Sequence, residues 1–261
     1  MSGVGKTTAA RTFARRHDLR LYCLDAYQHA HAACMPAETR SLDEIWVDLT
    51  PEELADWFED RSRERFRLAL ADLLALDDAA PVIVDGPQLL PELVAEVASS
   101  PQAALYIVAQ PEVQRRLVHE RGRGVAERTR DPERAFANRL GRDEELVRRL
   151  RAAAAGHGFP VVEVVDVRET LPQVEHRFLP LLAGWLEAQH GDVSGRRRDE
   201  NDARLRQWRA VVEDSGSAPS GGLELACECE RPGCELTVPV GLVEAESMRA
   251  RSQRLLATKH S

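Results

Sequence analysis

Ser2-Gly3-Val4-Gly5-Lys6-Thr7-Thr8 opens the chain, and its last residues fit the pattern G-x-x-x-x-G-K-[ST]. In this pattern, small residues let consecutive backbone N–H groups point at phosphate oxygens. The lysine reaches the β- and γ-phosphates, and the following hydroxyl binds Mg²⁺. We therefore predict a phosphate-binding loop that holds ATP. Its nucleotide-binding residues would be Gly3, Val4, Gly5, Lys6, Thr7 and Thr8, and Thr7 would also bind the metal.

The composition supports this interpretation over its alternative, a disordered Gly/Ser-rich tag. The chain has two lysines, Lys6 and Lys259, against 33 arginines. A lysine inside this loop therefore indicates a specific requirement for lysine at this position. The first glycine of the pattern would lie one residue before Met1, and the strand that feeds the loop would lie further upstream. We therefore expect Met1 to be internal to a longer loop, so that the chain is truncated at its N-terminus.

Two strands that follow are each predicted to end in an acid. Residues 20–24 (RLYCL) lead into Asp25, and residues 81–84 (PVIV) lead into Asp85. Ligand-contacting residues of parallel α/β sheets lie at the carboxyl ends of strands. Asp85 is therefore a candidate Mg²⁺ carboxylate, and Asp25 a candidate for orienting the acceptor hydroxyl. The alternative for Asp25 is a cap of the next turn.

Between the two strands, Thr50-Pro51-Glu52-Glu53 predicts a capped helix that runs to about residue 76. Residues 104–109 (ALYIVA) predict a further buried strand, and residues 161–165 (VVEVV) predict the final strand. An arginine-rich, glycine-containing segment lies between them and is predicted to close over transferring phosphates, because arginine binds phosphate oxygens bidentately. The alternative is a nucleic-acid-binding or solvated basic stretch. The candidate catalytic arginines are Arg121, Arg128, Arg139 and Arg142.

Residues 1–190 resemble P-loop small-molecule kinases of the shikimate, gluconate and adenylate kinase group. The resemblance rests on the phosphate loop, Asp25, V-I-V-D-G, N-R-x-x-R-D at residues 138–143, and the final strand. It implies an α/β fold whose parallel sheet, of order 2-3-1-4-5 and here without its first strand, is flanked by helices. It also implies transfer of the γ-phosphoryl group of Mg-ATP to a small molecule, with Lys6 in the catalytic machinery. The acceptor stays unidentified, and the truncation could leave the chain inactive.

Residues 199–261 are predicted to form a small α+β module after a linker at residues 191–198. Cys227, Cys229 and Cys234 lie within eight residues around a Pro-Gly turn, and His260 closes the chain. Zn²⁺ prefers four nitrogen or sulfur ligands in a tetrahedron, so these side chains are candidate zinc ligands. The alternatives are three reduced cysteines in a small core, or a redox pair. The segment resembles small bacterial cysteine-knuckle modules from which no function can be carried over.

Bulk properties narrow the classes of protein. The net charge of −8 gives no general reason to expect nucleic acid, and no apolar run is long enough to span a bilayer. The N-terminus lacks the apolar centre of a signal peptide, which predicts a cytoplasmic location.

We thus predict a cytoplasmic ATP-dependent kinase with a small-molecule acceptor. The alternative is a regulatory ATP-binding protein that acts on a macromolecular partner through its C-terminal module. The oligomeric state is left open.

Overall fold

The computed structural model describes residues 3–76, 80–120, 122–187, 191–215 and 222–260, so Met1, Ser2 and Arg121 lie outside the described residues. The described chain is mixed α/β and mostly helical. Its helices are α1 (Lys6–Arg16), α2 (Gln28–Cys34), α3 (Pro51–Leu74), α4 (Pro91–Val97), α5 (Pro111–Glu120), α6 (Pro132–Gly156), α7 (Thr170–Phe178), α8 (Ala183–Leu186), α9 (Val193–Ser215) and α10 (Leu242–Ala250). Its strands are β1 (Arg20–Cys23), β2 (Val82–Asp85), β3 (Tyr106–Ala109), β4 (Val161–Val164), β5 (Leu223–Ala226) and β6 (Thr237–Val240).

The chain divides into two compact units. The first comprises Met1–Lys6, Met35–Leu76 and Pro87–Leu181, and the second comprises Thr7–Cys34, Asp77–Gly86 and Leu182–Ser261. Each unit is thus assembled from separate stretches of the chain. The division predicted from the sequence, with a boundary at residues 191–198, stays a prediction.

In the first unit, α3 packs along α6. The start of α3 is the predicted capping box: Glu53 N–H donates to Thr50 Oγ1 at 3.2 Å, and Thr50 N–H donates to the Glu53 carboxylate at 2.8 Å. A π-helical turn at Glu44–Asp48 precedes α3 and packs against α6. The core that these elements share contains Ile45, Trp46, Val47, Leu54, Val118, Ala126, Ala135 and Phe136.

The sheet of the first unit is the parallel pair of β3 and β4, with Tyr106 opposite Val161 and Ala109 opposite Val164. Every residue of β3 is buried, as its continuous apolar sequence predicts. The buried neighbours of this strand include Leu150 and Phe159.

In the second unit, β1 and β2 form another parallel pair, with Arg20 opposite Val82 and Cys23 opposite Asp85. The antiparallel pair of β5 and β6 forms its other sheet. Helix α9 contacts β1 and β5, and therefore touches both sheets of this unit. The core around β5, β6, α9 and α10 contains Leu205, Trp208, Leu225, Val240, Ala245 and Leu255.

Three helix ends have identifiable physical causes. Helices α7 and α8 are separate because Pro180, lying between them, has no N–H to donate. Helix α9 begins at Val193, within the residues predicted to be a linker, since the Asp192 carboxylate accepts the Gly195 N–H at 2.7 Å. Helix α10 ends at Ala250, and Ser252 follows it with a left-handed φ of 56°.

Among the described residues, no helix is both long enough and apolar enough to cross a membrane.

Candidate metal centre and phosphate loop

The four side chains predicted as zinc ligands come together in the second unit. Ligand atoms of Cys227, Cys229, Cys234 and His260 all lie within 4.8 Å of one another. His260 Nδ1 is 3.5 Å from Cys227 Sγ and 3.8 Å from Cys234 Sγ. Tetrahedral bonds of the length that Zn²⁺ makes to nitrogen and sulfur place neighbouring ligand atoms roughly 3.5–3.8 Å apart. The cluster can therefore hold a metal ion such as zinc.

The hairpin of β5 and β6 positions three of these ligands. Cys227 follows β5 directly and continues the pairing, since its N–H donates to Leu236 O at 3.0 Å. Cys229 and Cys234 lie on either side of a turn at Pro232-Gly233, where Gly233 has a φ of +64° that favours glycine. The three thiols are buried and none is in a disulfide. The Ala257 N–H donates to Cys227 Sγ at 3.3 Å, which fixes the segment that carries His260.

The surroundings of the cluster favour a thiolate at Cys229. Burial acts to raise the pKa of this thiol, but the Arg231 N–H, the neighbouring thiols and the Arg197 charge outweigh burial and lower the pKa below its usual value. Burial raises the pKa of Cys234 to about 11. Burial and the charges of Arg231 and Arg197 lower the pKa of His260, so its imidazole is neutral near pH 7 and can bind a metal.

Glu228, between two of the cysteines, is fully buried. Its carboxylate accepts two hydrogen bonds from Arg249, one of them at 2.9 Å. It also accepts the Asn201 amide at 2.9 Å and the Leu255 N–H at 3.0 Å. We call residues 227–234, which carry the three cysteines, the knuckle. The Glu228 carboxylate therefore connects the knuckle to α9, to α10 and to the segment that leads to His260.

The segment predicted to be a phosphate loop has the backbone that its glycines allow. Gly3 and Gly5 have φ values of +104° and +74°, and α1 begins at the next residue, Lys6. The buried carbonyl of Val4 accepts the hydroxyl of buried Thr170 at 2.6 Å. A Cβ on Gly3 would lie 2.9 Å from Leu117 Cβ, so the loop has no room for a larger residue there. The loop is thus fixed to the start of α7, just after β4.

The two predicted acids lie at the carboxyl ends of the paired strands β1 and β2. Asp85 is buried and is 3.7 Å from the Cys23 thiol, while Asp25 is exposed in a 3₁₀ turn. Burial raises the pKa of Cys23 to about 12, and the charges of Asp85 and Asp25 add to the rise. Both carboxylates therefore act on the same thiol. Their roles toward Mg²⁺ and the acceptor stay predictions.

The predicted catalytic arginines lie in different surroundings. Arg121 is outside the described residues and Arg128 is exposed. Arg139 donates to Arg123 O at 3.3 Å, which holds the glycine-containing segment against α6. Arg142 pairs with buried Asp143 at 2.6 Å and lies over the Trp46 ring at 5.0 Å. The contacts of the last two arginines are structural, and their action on phosphate stays a prediction.

Asn138, in the same N-R-x-x-R-D stretch, also has a structural contact. Its Nδ2 lies 3.1–3.3 Å from three backbone carbonyls, those of Trp46, Val47 and Leu49. We expect Asn138→Ala to lower the free energy of unfolding by about 2 kcal/mol, because it leaves these carbonyls without their donor. Urea unfolding measures the change. Asn138→Asp, which replaces the donor with a charged acceptor, should be less stable still, and an alanine variant of unchanged stability would contradict this role.

Sequence reasoning missed three residues around the metal centre, namely Asp18, Arg197 and Glu228. Arg197 lies in the segment that was expected to be a linker, and Asp18 is distant in sequence. Glu228 offered a signal, because a charged residue between two buried cysteines needs a partner of opposite charge.

Comparison of the chain with protein-family models, with curated proteins and with solved structures finds no match. The site therefore has to be interpreted from its own residues.

Proposed function

We propose that this chain is an ATP-binding phosphotransferase that transfers the γ-phosphoryl group of Mg-ATP to a small molecule, and that its C-terminal knuckle binds Zn²⁺. The observation that carries the first part is the loop G-V-G-K-T-T with both glycines in left-handed backbone and a helix beginning at Lys6. Such a loop directs N–H groups and the helix dipole toward one anion. The second part rests on the cluster of three thiols and an imidazole.

The strand pairings give independent support. In a parallel sheet of order 2-3-1-4-5, strand 2 pairs with strand 3, and strand 4 pairs with strand 5. Because the first strand of this order is expected to be absent, β1 to β4 would be its strands 2 to 5. The pairing of β1 with β2 and that of β3 with β4 agree with this assignment. The proposed fold is thus a P-loop kinase-like sheet.

Each residue then has a proposed role. The loop amides and Lys6 would hold the β- and γ-phosphates, Thr7 would bind Mg²⁺, and Asp85 would support the metal. Asp25, exposed at a strand end, would orient the acceptor hydroxyl. Arg128, also exposed, would bind an oxygen of the transferring phosphate.

Replacing Lys6 with alanine tests the nucleotide site. We expect the affinity for Mg-ATP to fall about 10- to 100-fold, because hydrogen bonds to a charged group contribute roughly 1.5–3 kcal/mol. Isothermal titration calorimetry measures the affinity. Lys259→Ala is the matched control, since it removes the only other lysine and should leave ATP binding unchanged. If the unaltered chain does not bind ATP, the nucleotide part of the proposal is wrong.

A panel of small hydroxyl compounds then distinguishes a kinase from a regulatory ATPase. One compound that speeds ADP release and itself gains a phosphate would support the phosphotransferase. ATP hydrolysis that no compound alters would instead favour a regulatory protein with a macromolecular partner. ATP hydrolysis without an acceptor should be measured as well, because Arg139 and Arg142 have structural contacts and fewer arginines are left for phosphate transfer.

A further inference from the structure

Arg197 of α9 is buried beside the metal centre and donates to acceptors from two parts of the second unit. Its Nη1 donates to Cys229 O at 2.8 Å and lies 3.5 Å from Cys229 Sγ. Its Nη2 donates to Asp18 Oδ1 at 2.8 Å and to Arg231 O at 3.1 Å. One guanidinium therefore contacts a candidate metal ligand, the knuckle backbone and Asp18, the second residue after the end of α1.

Asp18 completes this connection from the side of α1. It is buried and has a left-handed φ of 52°, which is uncommon for a residue with a side chain. Its carboxylate oxygens accept the Gly233 N–H at 3.0 and 3.1 Å. A Cβ on Gly233 would lie 3.3 Å from Arg16 O, so the knuckle turn closely approaches the last turn of α1. Nearby, Arg16 and Glu235 form a more exposed ion pair at 2.7 Å.

The position of the knuckle decides how many hydrogen bonds these two buried charged groups keep besides their own ion pair. A metal ion bound to the three cysteines and the histidine would hold the knuckle in place. If the turn that carries Cys234 moves away, Gly233 N–H leaves Asp18, and Arg197 loses Cys229 and Arg231. Buried charged groups that lose hydrogen-bond partners are costly, so the end of α1 is less stable in that state.

We propose that Arg197 and Asp18 are positioning residues for the metal ligand Cys229 and the Pro232-Gly233 turn, and that metal occupancy thereby stabilises the end of α1. This inference rests on the proposed metal site and adds a link from that site to the helix that begins at the phosphate loop. By thermodynamic linkage, the factor by which metal binding favours the ordered end of α1 is also the factor by which an ordered end of α1 raises the affinity for the metal.

The test compares Arg197→Gln and Asp18→Asn with Glu200→Gln in the full chain. Asn keeps the size of Asp18 and tolerates left-handed backbone. Glu200 is a matched control, because it makes a buried ion pair with Arg15 at 2.7 Å that joins α9 to α1 without touching the knuckle. Metal affinity is measured by Co²⁺ titration followed in the visible absorption spectrum. Amide hydrogen exchange of residues 13–20 is measured with and without Zn²⁺.

We expect the Arg197 and Asp18 variants to bind Co²⁺ about tenfold more weakly, the lower end of what outer-sphere partners of metal ligands contribute. In the unaltered chain, Zn²⁺ should slow exchange at the end of α1 about tenfold, and this effect should be lost in Asp18→Asn. Glu200→Gln should exchange its amide hydrogens faster overall, because it loses the ion pair with Arg15. Its response to Zn²⁺ and its Co²⁺ affinity should match the unaltered chain.

Two results would overturn the inference. One is a Co²⁺ affinity of Asp18→Asn equal to that of the unaltered chain. The other is amide hydrogen exchange of residues 13–20 that is the same with and without Zn²⁺, although Co²⁺ titration shows that the site binds metal. Failure of the proposed metal site itself has a different signature, since Co²⁺ would then give no thiolate absorption even in the unaltered chain, and the inference would fall with the site.

Discussion

Cys227→Ser is expected to weaken Zn²⁺ binding by about 100- to 1,000-fold. Structural zinc sites contribute about 10–16 kcal/mol through four ligands, and the loss of one thiolate removes roughly a quarter of this. Cys227 is fully buried and lies 3.5 Å from His260 Nδ1, so a serine hydroxyl there would be a poor substitute in the ligand set. Competition of the protein with a chromophoric chelator for Zn²⁺ measures the affinity.

Cys34→Ser is the control for this variant, because Cys34 is an exposed thiol outside the cluster. Its Zn²⁺ affinity should equal that of the unaltered chain. Chelation of the metal from the unaltered protein should also lower its thermal stability. A Cys227→Ser variant that keeps full affinity would show that Cys227 is not a ligand. An unaltered chain that binds no Zn²⁺ would favour the alternative interpretation of reduced cysteines in a small core.

Glu228→Gln is expected to lower the free energy of unfolding by about 3–5 kcal/mol, because it leaves the Arg249 guanidinium in a mostly buried site without its main counter-charge. The side chain of Glu228 is 0% exposed and that of Arg249 only 15%. Asp202 also pairs with Arg249, at 2.6 Å, and would compensate only part of the loss. Urea unfolding followed by the fluorescence of Trp208, which belongs to the same core, measures the change.

Glu246→Gln is a matched control on the same pair of helices. Glu246 pairs with Arg209 of α9, but this pair is exposed, and such pairs contribute less than about 1 kcal/mol. The two glutamate variants should therefore differ several-fold in their effect. Equal and small effects would mean that the buried carboxylate is not needed to hold the knuckle to α9 and α10.

Short sequence patterns predicted the structural features that depend on residues close together in the sequence, such as strands and helix caps. The apolar runs ending at Asp85 and Ala109 are strands, and Thr50 and Glu53 cap α3 as their spacing indicates. The cysteine spacing and a distant histidine correctly indicated which side chains could meet, because few other residues bind soft metals.

The partners of charged residues could not be predicted in this way. Arg197 and Asp18 are far apart in the sequence, and nothing in the periodicity of either segment brings them together. Arg142 looked like a phosphate ligand, yet its neighbours Asp143 and Trp46 occupy its guanidinium. In a chain with 33 arginines, most of these side chains stabilise contacts between elements, and sequence alone does not separate them from the few that could bind a ligand.

The tripeptide Cys227-Glu228-Cys229 sends its side chains in alternate directions, two thiols toward the cluster and one carboxylate toward Arg249. A slip of one residue in the pairing of β5 with β6 would exchange all three environments at once. It would set a carboxylate among the thiols and a thiol against the guanidinium. A misaligned hairpin would therefore be less stable for two reasons. A buried carboxylate would lack its guanidinium partner, and the candidate metal site would lack one of its thiols. The alternation of thiol and carboxylate in this tripeptide therefore favours a single alignment of β5 with β6.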